Sequence, residues 1–373
     1  MSGFHNAVLV LPHGLRHGGL SLANGLIATL EPQTDGFDCE GGYLLPGLID
    51  LHTDNLERQA SPRVNALWPS AQALLAHDKQ CLSAGITTVF DALCIGEIGF
   101  EKSRHQTFLN GVADLTRFKA LGALQAEHFL HLRCELPSPG MPAHLAAIIA
   151  NPLVRLVSVM DHTPGIGGQY ADIPRYRAMR QAEGFAPPEI DAMIEALQAA
   201  HHAHHRPNRA DVLALARAHG LPVASHDDRA SADIAANTRD GIALAEFPVT
   251  REAAAAARAA GQGVIGGAPN IVRGGSHAGN VAVQELVQAG LIDALASDYV
   301  PAALLEAAFM AAESGALALP QAVALITAGP ARLANLPDRG ALTPGLRADL
   351  ILVRLYDGLP VVRGVWRAGV RVG

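Results

Sequence analysis

Strand-like and helix-like patterns alternate through most of this chain. Apolar, strand-like runs at 45–52, 86–92, 126–135, 153–161, 221–226, 242–247, 264–268 and 293–298 are separated by helical patterns at 70–84, 101–120, 187–203, 208–219, 229–239, 250–261 and 279–290. Eight strands alternating with helices over roughly 250 residues predict an α/β fold, a (β/α)8 TIM barrel, over residues 45–336. The ends read differently. Residues 1–44 hold short runs such as Ala7-Val8-Leu9-Val10-Leu11, and residues 337–373 hold Ala348-Asp349-Leu350-Ile351-Leu352-Val353, broken by Pro, Gly and Asp turn signals. Both ends together predict one small β-sandwich domain. The stretch 163–207 is the least barrel-like, and Gly165, Gly167 and Gly168 predict a mobile loop over the barrel mouth, followed by a helical insertion.

Bulk properties narrow the function. A chain of 373 residues is long enough for one barrel plus an appendage. No apolar stretch is long enough to cross a bilayer and no export signal opens the chain, so a cytoplasmic protein is expected. Cys39, Cys81, Cys94 and Cys134 lack paired metal spacing and read as reduced thiols. A net charge of −7 argues against nucleic-acid binding, yet a local arginine cluster still leaves room for an anionic small substrate.

The chemistry gathers at strand ends. His52-Thr53-Asp54 ends the first run, and strand alternation sends His52 and Asp54 to one side. Glu135, His162, His226 and Asp298 end four later runs. Barrels of this kind carry their chemistry at the C-terminal ends of the strands, so the six residues predict a metal site at one mouth. Two divalent ions held together acidify a water and polarise the group that it attacks. In this reading His52 and Asp54 bind one ion, His162 and His226 the second, and Glu135 spans the pair. Asp298 binds weakly and takes the proton of the attacking water, the general-base role. Zinc is the first expectation from nitrogen and oxygen donors, with manganese or iron also compatible.

The run Pro46-Gly47-Leu48-Ile49-Asp50-Leu51-His52 resembles the opening strand of the amidohydrolase superfamily, and Gly340 to Ile351 resembles the return strand of its small β domain. Most members open with His-X-His, whereas this chain has His52-Thr53-Asp54. Many bridge their metals with a carboxylated lysine, but Lys79, Lys102 and Lys119 are the only lysines here, which favours Glu135 as the bridge. The superfamily more often places the later histidines on strands five and six. Here they fall on four and five, so either the strand count is one short or the site is permuted. Longer strings, among them Met160-Asp161-His162-Thr163-Pro164-Gly165, Ala224-Ser225-His226-Asp227-Asp228 and Gly267-Ala268-Pro269-Asn270-Ile271-Val272-Arg273-Gly274-Gly275-Ser276-His277, resemble the PhnM-type family of the carbon–phosphorus lyase pathway. That resemblance implies hydrolysis of α-D-ribose 1-methylphosphonate 5-triphosphate to the 5-phosphate and pyrophosphate.

The loop after the seventh strand fits a polyphosphate. Glycines let backbone N–H groups approach oxyanions, and Arg273, Ser276, His277 and Asn280 add side-chain donors. Asn55 and Asp227 are further candidates for substrate contact, Asp227 being equally readable as a helix cap. His77 reads as packed or solvated, and His201-His202-Ala203-His204-His205 as a solvated face. Cys134 points opposite Glu135, toward the helices. A homodimer is compatible with all of this. Two rival readings stand beside it: another superfamily member that opens a cyclic amide or deaminates a ring, which needs no phosphate donors around Arg273, and a non-catalytic barrel, which expects a missing ligand.

Overall fold

The computed structural model describes residues 2–63, 66–96, 102–166, 168–276 and 279–373, with backbone alone at 102–103. Eight parallel strands follow one another around a barrel. They are β1 (Leu48–Thr53), β2 (Ile86–Ile95), β3 (Glu127–Glu135), β4 (Val154–Met160), β5 (Val223–His226), β6 (Leu244–Glu246), β7 (Gly263–Gly267) and β8 (Ala294–Ala296). All eight expected runs are present in that order. The ring closes where β1 leaves the sheet: Thr53 bridges Asp298 in parallel, Asp54 N donates to Asp298 O at 2.7 Å and Asp298 N to His52 O at 3.0 Å.

These strands carry side chains buried on both faces, as a sheet covered by helices requires. Ile49, Phe90, Phe129, Leu156, Ala224, Leu244, Ile265 and Ala294 fill the interior. Outward neighbours such as Leu93, Leu130, Leu132 and Cys134 pack under the helices. Each fully buried Leu, Ile or Phe contributes about 1.5–3 kcal/mol, so the interior layers hold the strand ends in fixed relation.

Strands from both termini build the expected small β domain as one mixed sheet, ordered Val370–Arg371, Leu359–Arg367, Leu350–Tyr356, Tyr43–Pro46, Gly3–Leu11, Gly14–Ala23 and Leu26–Thr29, with Phe37–Asp38 beside Gly3–Leu11. The sheet curls over its own core, because Phe4 and Trp366, on strands that are not neighbours, meet edge to face at 4.8 Å. The run expected at 45–52 is two strands. Tyr43–Pro46 pairs with Leu350–Val353 in the terminal sheet, while Leu48–Thr53 enters the barrel. Gly47 makes the step between them, where a Cβ would lie 2.3 Å from Thr87 Oγ1.

Two helical expectations also change. The segments 187–203 and 208–219 form one helix, Pro187–Ala218, that runs through Pro207. Proline removes one backbone donor there, but Asn208 clamps the next residue by donating to Leu136 O and Ser138 O, both at 2.8 Å. The helix expected at 279–290 is shorter, Val283–Gln288. Within 163–207, Gly168–Tyr170 forms a short 3-10 turn and Ile173–Ala182 a helix before the long one.

Candidate metal centre and active site

At the C-terminal rim the strands hand over from apolar to ionisable residues. Ile49 and Leu51 belong to the interior, and so does the ring of His52, which reaches Glu246 inside the barrel. Two consecutive residues face inward because the pairing of β1 with β2 slips between Asp50 and Thr53. Asp227, Phe247 and Asp298, each one or two residues beyond a strand, hold left-handed φ angles of 58°, 54° and 56°. Non-glycine residues there cost about 1–3 kcal/mol each and concentrate at functional sites. The strained turns aim His226, Glu246 and Asp298 across one opening.

The donors fall into two sets whose ligating atoms lie within 4.8 Å of one another: His52, Asp54 and Asp298 on one side, His162, His226 and Asp227 on the other. Glu246 joins them. Its Oε1 accepts from His52 Nδ1 at 2.7 Å and its Oε2 from His226 Nδ1 at 2.8 Å. Both rings therefore turn Nε2 toward the opening, where His52 Nε2 lies 3.4 Å from Asp54 and His226 Nε2 lies 3.9 Å from Asp227. Carboxylates that fix the tautomer of metal-binding imidazoles act in this way. Glu135, expected to span the ions, instead accepts from His162 Nδ1 at 2.6 Å and from His162 N at 2.9 Å. With both oxygens engaged by His162, it orients that ring. The strand count of eight leaves His162 and His226 at β4 and β5, so the site departs from the commoner strand placement.

The donor chemistry fits a divalent ion. Asp227 Oδ2 is buried with no hydrogen-bond partner among the described residues, and a bound cation would satisfy it. Burial opposes a charged His52, but Glu246 and Asp54 outweigh it and push the ring up to about 10. Burial would raise Asp54, yet Arg133 at 2.6 Å and His52 hold it well below the carboxylate range. Burial and the neighbouring Asp54 push Asp298 up to about 6. Beneath these groups His131 uses both ring nitrogens, on Leu51 O at 3.1 Å and Ser158 Oγ at 3.0 Å, and forms the floor.

The opening is a cavity of about 290 Å³. His52, Asp54, His226 and Asp298 line it together with Arg273, Ser276 and Asn280, so three of the four expected phosphate donors share the space with the metal set. His277 lies outside the described residues. Arg273 donates to Tyr299 Oη at 3.3 Å. Arg175, on helix Ile173–Ala182, packs its guanidinium against Gly279, where a Cβ would sit 2.8 Å from Nη1.

Some residues sit elsewhere than expected. Asn55 does not face the mouth: it is fully buried and its amide donates to His77 Nδ1 at 2.8 Å and Gln80 Oε1 at 3.0 Å. Of the two readings of His77 the packed one holds: it is fully buried and pairs with Asp91 at 2.6 Å. His201 and His205 turn inward onto Asp161. Asp227 lines the mouth as a member of a donor set. Cys134 is a buried thiol, as expected. Sequence reasoning missed Glu246 and Arg133. Arg133 carried a signal, since alternation puts it on the same face of β3 as Glu135 within an apolar run.

Comparison with known proteins follows this geometry. The amidohydrolase family pattern matches residues 262–372. The chain is 43% identical over 375 residues to the α-D-ribose 1-methylphosphonate 5-triphosphate diphosphatase of Escherichia coli (strain K12), covering 99% of each. Among solved structures, 5-methylcytosine deaminase from Klebsiella pneumoniae superposes with a TM-score of 0.65 at 16% identity, covering 99% of this chain and 97% of that one. Dihydropyrimidinase from Brevibacillus agri gives 0.61 at 13%, covering 100% and 94%. These two likenesses concern the fold.

Proposed function

From its membership of the amidohydrolase family, on the branch of the triphosphate diphosphatase, we propose that this chain is a metal-dependent hydrolase that cleaves α-D-ribose 1-methylphosphonate 5-triphosphate to the 5-phosphate and pyrophosphate in phosphonate catabolism. The observation that carries the reading is the single cavity lined both by nitrogen and carboxylate donors and by an arginine- and glycine-bearing loop. A ring hydrolase needs the first group of residues and has no use for the second. No helix among the described residues is long and apolar enough to cross a membrane. Four buried, unpaired cysteines support a reducing cytoplasm.

In this reading His52, Asp54 and Asp298 hold one divalent ion and His162, His226 and Asp227 the other, zinc being the first choice. Bound ions would acidify water and neutralise phosphoryl charge. Glu246 and Glu135 fix the rings. Asp298 accepts the water proton as the oxygen bonds to phosphorus. The P–O bond to pyrophosphate breaks in line, and Arg273 and the loop N–H groups take up the departing charge. Ser276 and Asn280 position the phosphate chain.

Metal-reconstituted protein incubated with the sugar triphosphate and, separately, with dihydrouracil tests this by phosphorus NMR and ultraviolet absorbance. Pyrophosphate and the 5-phosphate are expected in equal amounts. Ring opening with an inert triphosphate would overturn the reading.

A further inference from the structure

Away from the mouth, a second nitrogen-rich cluster joins the helical insertion to the barrel. Asp161 follows β4, and its Oδ2 lies 2.5 Å from His201 Nδ1 and 2.6 Å from His205 Nδ1. The two histidines are one helical turn apart on Pro187–Ala218, the i,i+4 spacing that stacks side chains on one face, and their rings stand 4.7 Å apart. Three ligating atoms on one point form half or more of a tetrahedral transition-metal site, with the remaining position open to water.

Several features separate this cluster from a chance meeting of surface histidines. His201 and His205 are partly buried and turned inward, whereas His202 is exposed and contacts neither Asp161 nor the barrel among the described hydrogen bonds. The helix is pinned on both sides of the pair. Gln198 donates to Pro164 O at 3.0 Å, and Asn208 donates to Leu136 O and Ser138 O, so the rings cannot drift from Asp161. Asp161 is itself held, because Thr163 N donates to its other oxygen at 2.9 Å. The cluster lines a cavity of about 340 Å³ beside the mouth, which shares His226 and Asp227 with it and is also lined by Asp228 and Arg209. Carboxylates around that space favour a cation in it.

We propose that Asp161, His201 and His205 form an additional binding site for a divalent transition metal of the zinc class, distinct from the catalytic mouth and independent of the reaction assigned to it. The ion staples the insertion helix to the end of β4, one residue before His162. Its role is to fix the frame from which His162 and the covering segment with Tyr170 reach the mouth.

Full-length protein stripped by chelator and titrated with Zn²⁺ tests this by counting bound equivalents. Wild type binds one equivalent more than His201→Gln/His205→Gln, and His202→Gln/His204→Gln matches wild type. Equal counts for wild type and His201→Gln/His205→Gln would overturn the site. So would loss of the ion in the His202/His204 pair, which would make it a loose surface tract. A measurement on wild type alone guards against a variant that misfolds: zinc anomalous scattering from a loaded crystal must peak beside both Nδ1 atoms. Scattering confined to the mouth would equally overturn the proposal.

Discussion

The mouth and the outer wall of the barrel contain the same kind of contact, imidazole against carboxylate, with opposite outcomes. In the wall, between β2, β3 and helix Ser70–Ser83, every ring nitrogen is engaged. Asn55 Nδ2 donates to His77 Nδ1 and His77 Nε2 to Asp91, while His128 contacts Asp91 through Nδ1 at 2.8 Å and Asp78 through Nε2 at 3.1 Å. All are fully buried or nearly so. At the mouth His52 and His226 use Nδ1 on Glu246 and turn Nε2 toward carboxylates that line an open cavity. The wall cluster has every ring nitrogen engaged, and of its members only His128 lines a cavity. Donor type therefore does not make a metal centre; orientation by one nitrogen and access for the other do.

The comparison breaks most visibly at Asp298. Asp298→Asn should lower turnover about 10²–10⁴-fold, the range for losing a general base, while bound metal measured by mass spectrometry is retained. Near-wild-type turnover in the metal-loaded variant would remove its catalytic role. The wall responds in stability instead. Asp91→Asn leaves His128 and His77 beside a neutral group, and breaking such a buried pair costs about 3–5 kcal/mol. Urea unfolding should show that loss, with bound metal per folded chain unchanged. If metal content falls as well, the two clusters are not separate.

A finer test asks whether Glu246 orients the mouth as the distances imply. Glu246→Gln keeps the shape and removes the charge from Nδ1 of both rings. Metal affinity should fall about 10–100-fold, the usual effect of losing such a partner, with the fold intact. An unchanged affinity would mean that the rings are held by packing against Phe247, whose ring lies 4.9 Å from His52 and 5.6 Å from His226.

The same contrast explains what the chain discloses on its own. The barrel was legible because eight strands buried on both faces leave apolar runs of recognisable length, and the gathering of polar residues at its mouth because a polar residue closing such a run stands out. Glu246 was harder to see: its strand is only Leu244–Glu246, too short for a pattern to mark its last residue. Glu135 was given the bridge because its position is right, but whether its oxygens meet one ring or two ions depends on side-chain packing that no spacing records. The wall cluster depends on a helix residue, His77, meeting two strands, and the pairing of His201 and His205 with Asp161 depends on how the insertion folds back. Such contacts arise from tertiary packing between segments whose local patterns are silent about one another.

The smallest expected effect separates the regions by charge. Burial opposes a charged His128, but Asp91 and Asp78 outweigh it and push the ring up to about 9. Burial also opposes the charge on Asp91, and His128 and His77 bring it down to about 2. A raised histidine gives stability that is complete below its unfolded value near 6.5 and is lost as pH climbs through 9. A lowered aspartate gives stability that is complete above about 3.9 and is lost as pH falls toward 2. The wall is thus firmest between about pH 4 and 6.5. Urea unfolding of wild type and His128→Gln across pH 6.5 to 9 should show their stability difference shrinking, by no more than about 1.4 kcal/mol per pH unit for one proton. A difference that stays flat would mean that His128 folds uncharged, and hydrogen bonds alone would then distinguish the closed wall from the open mouth.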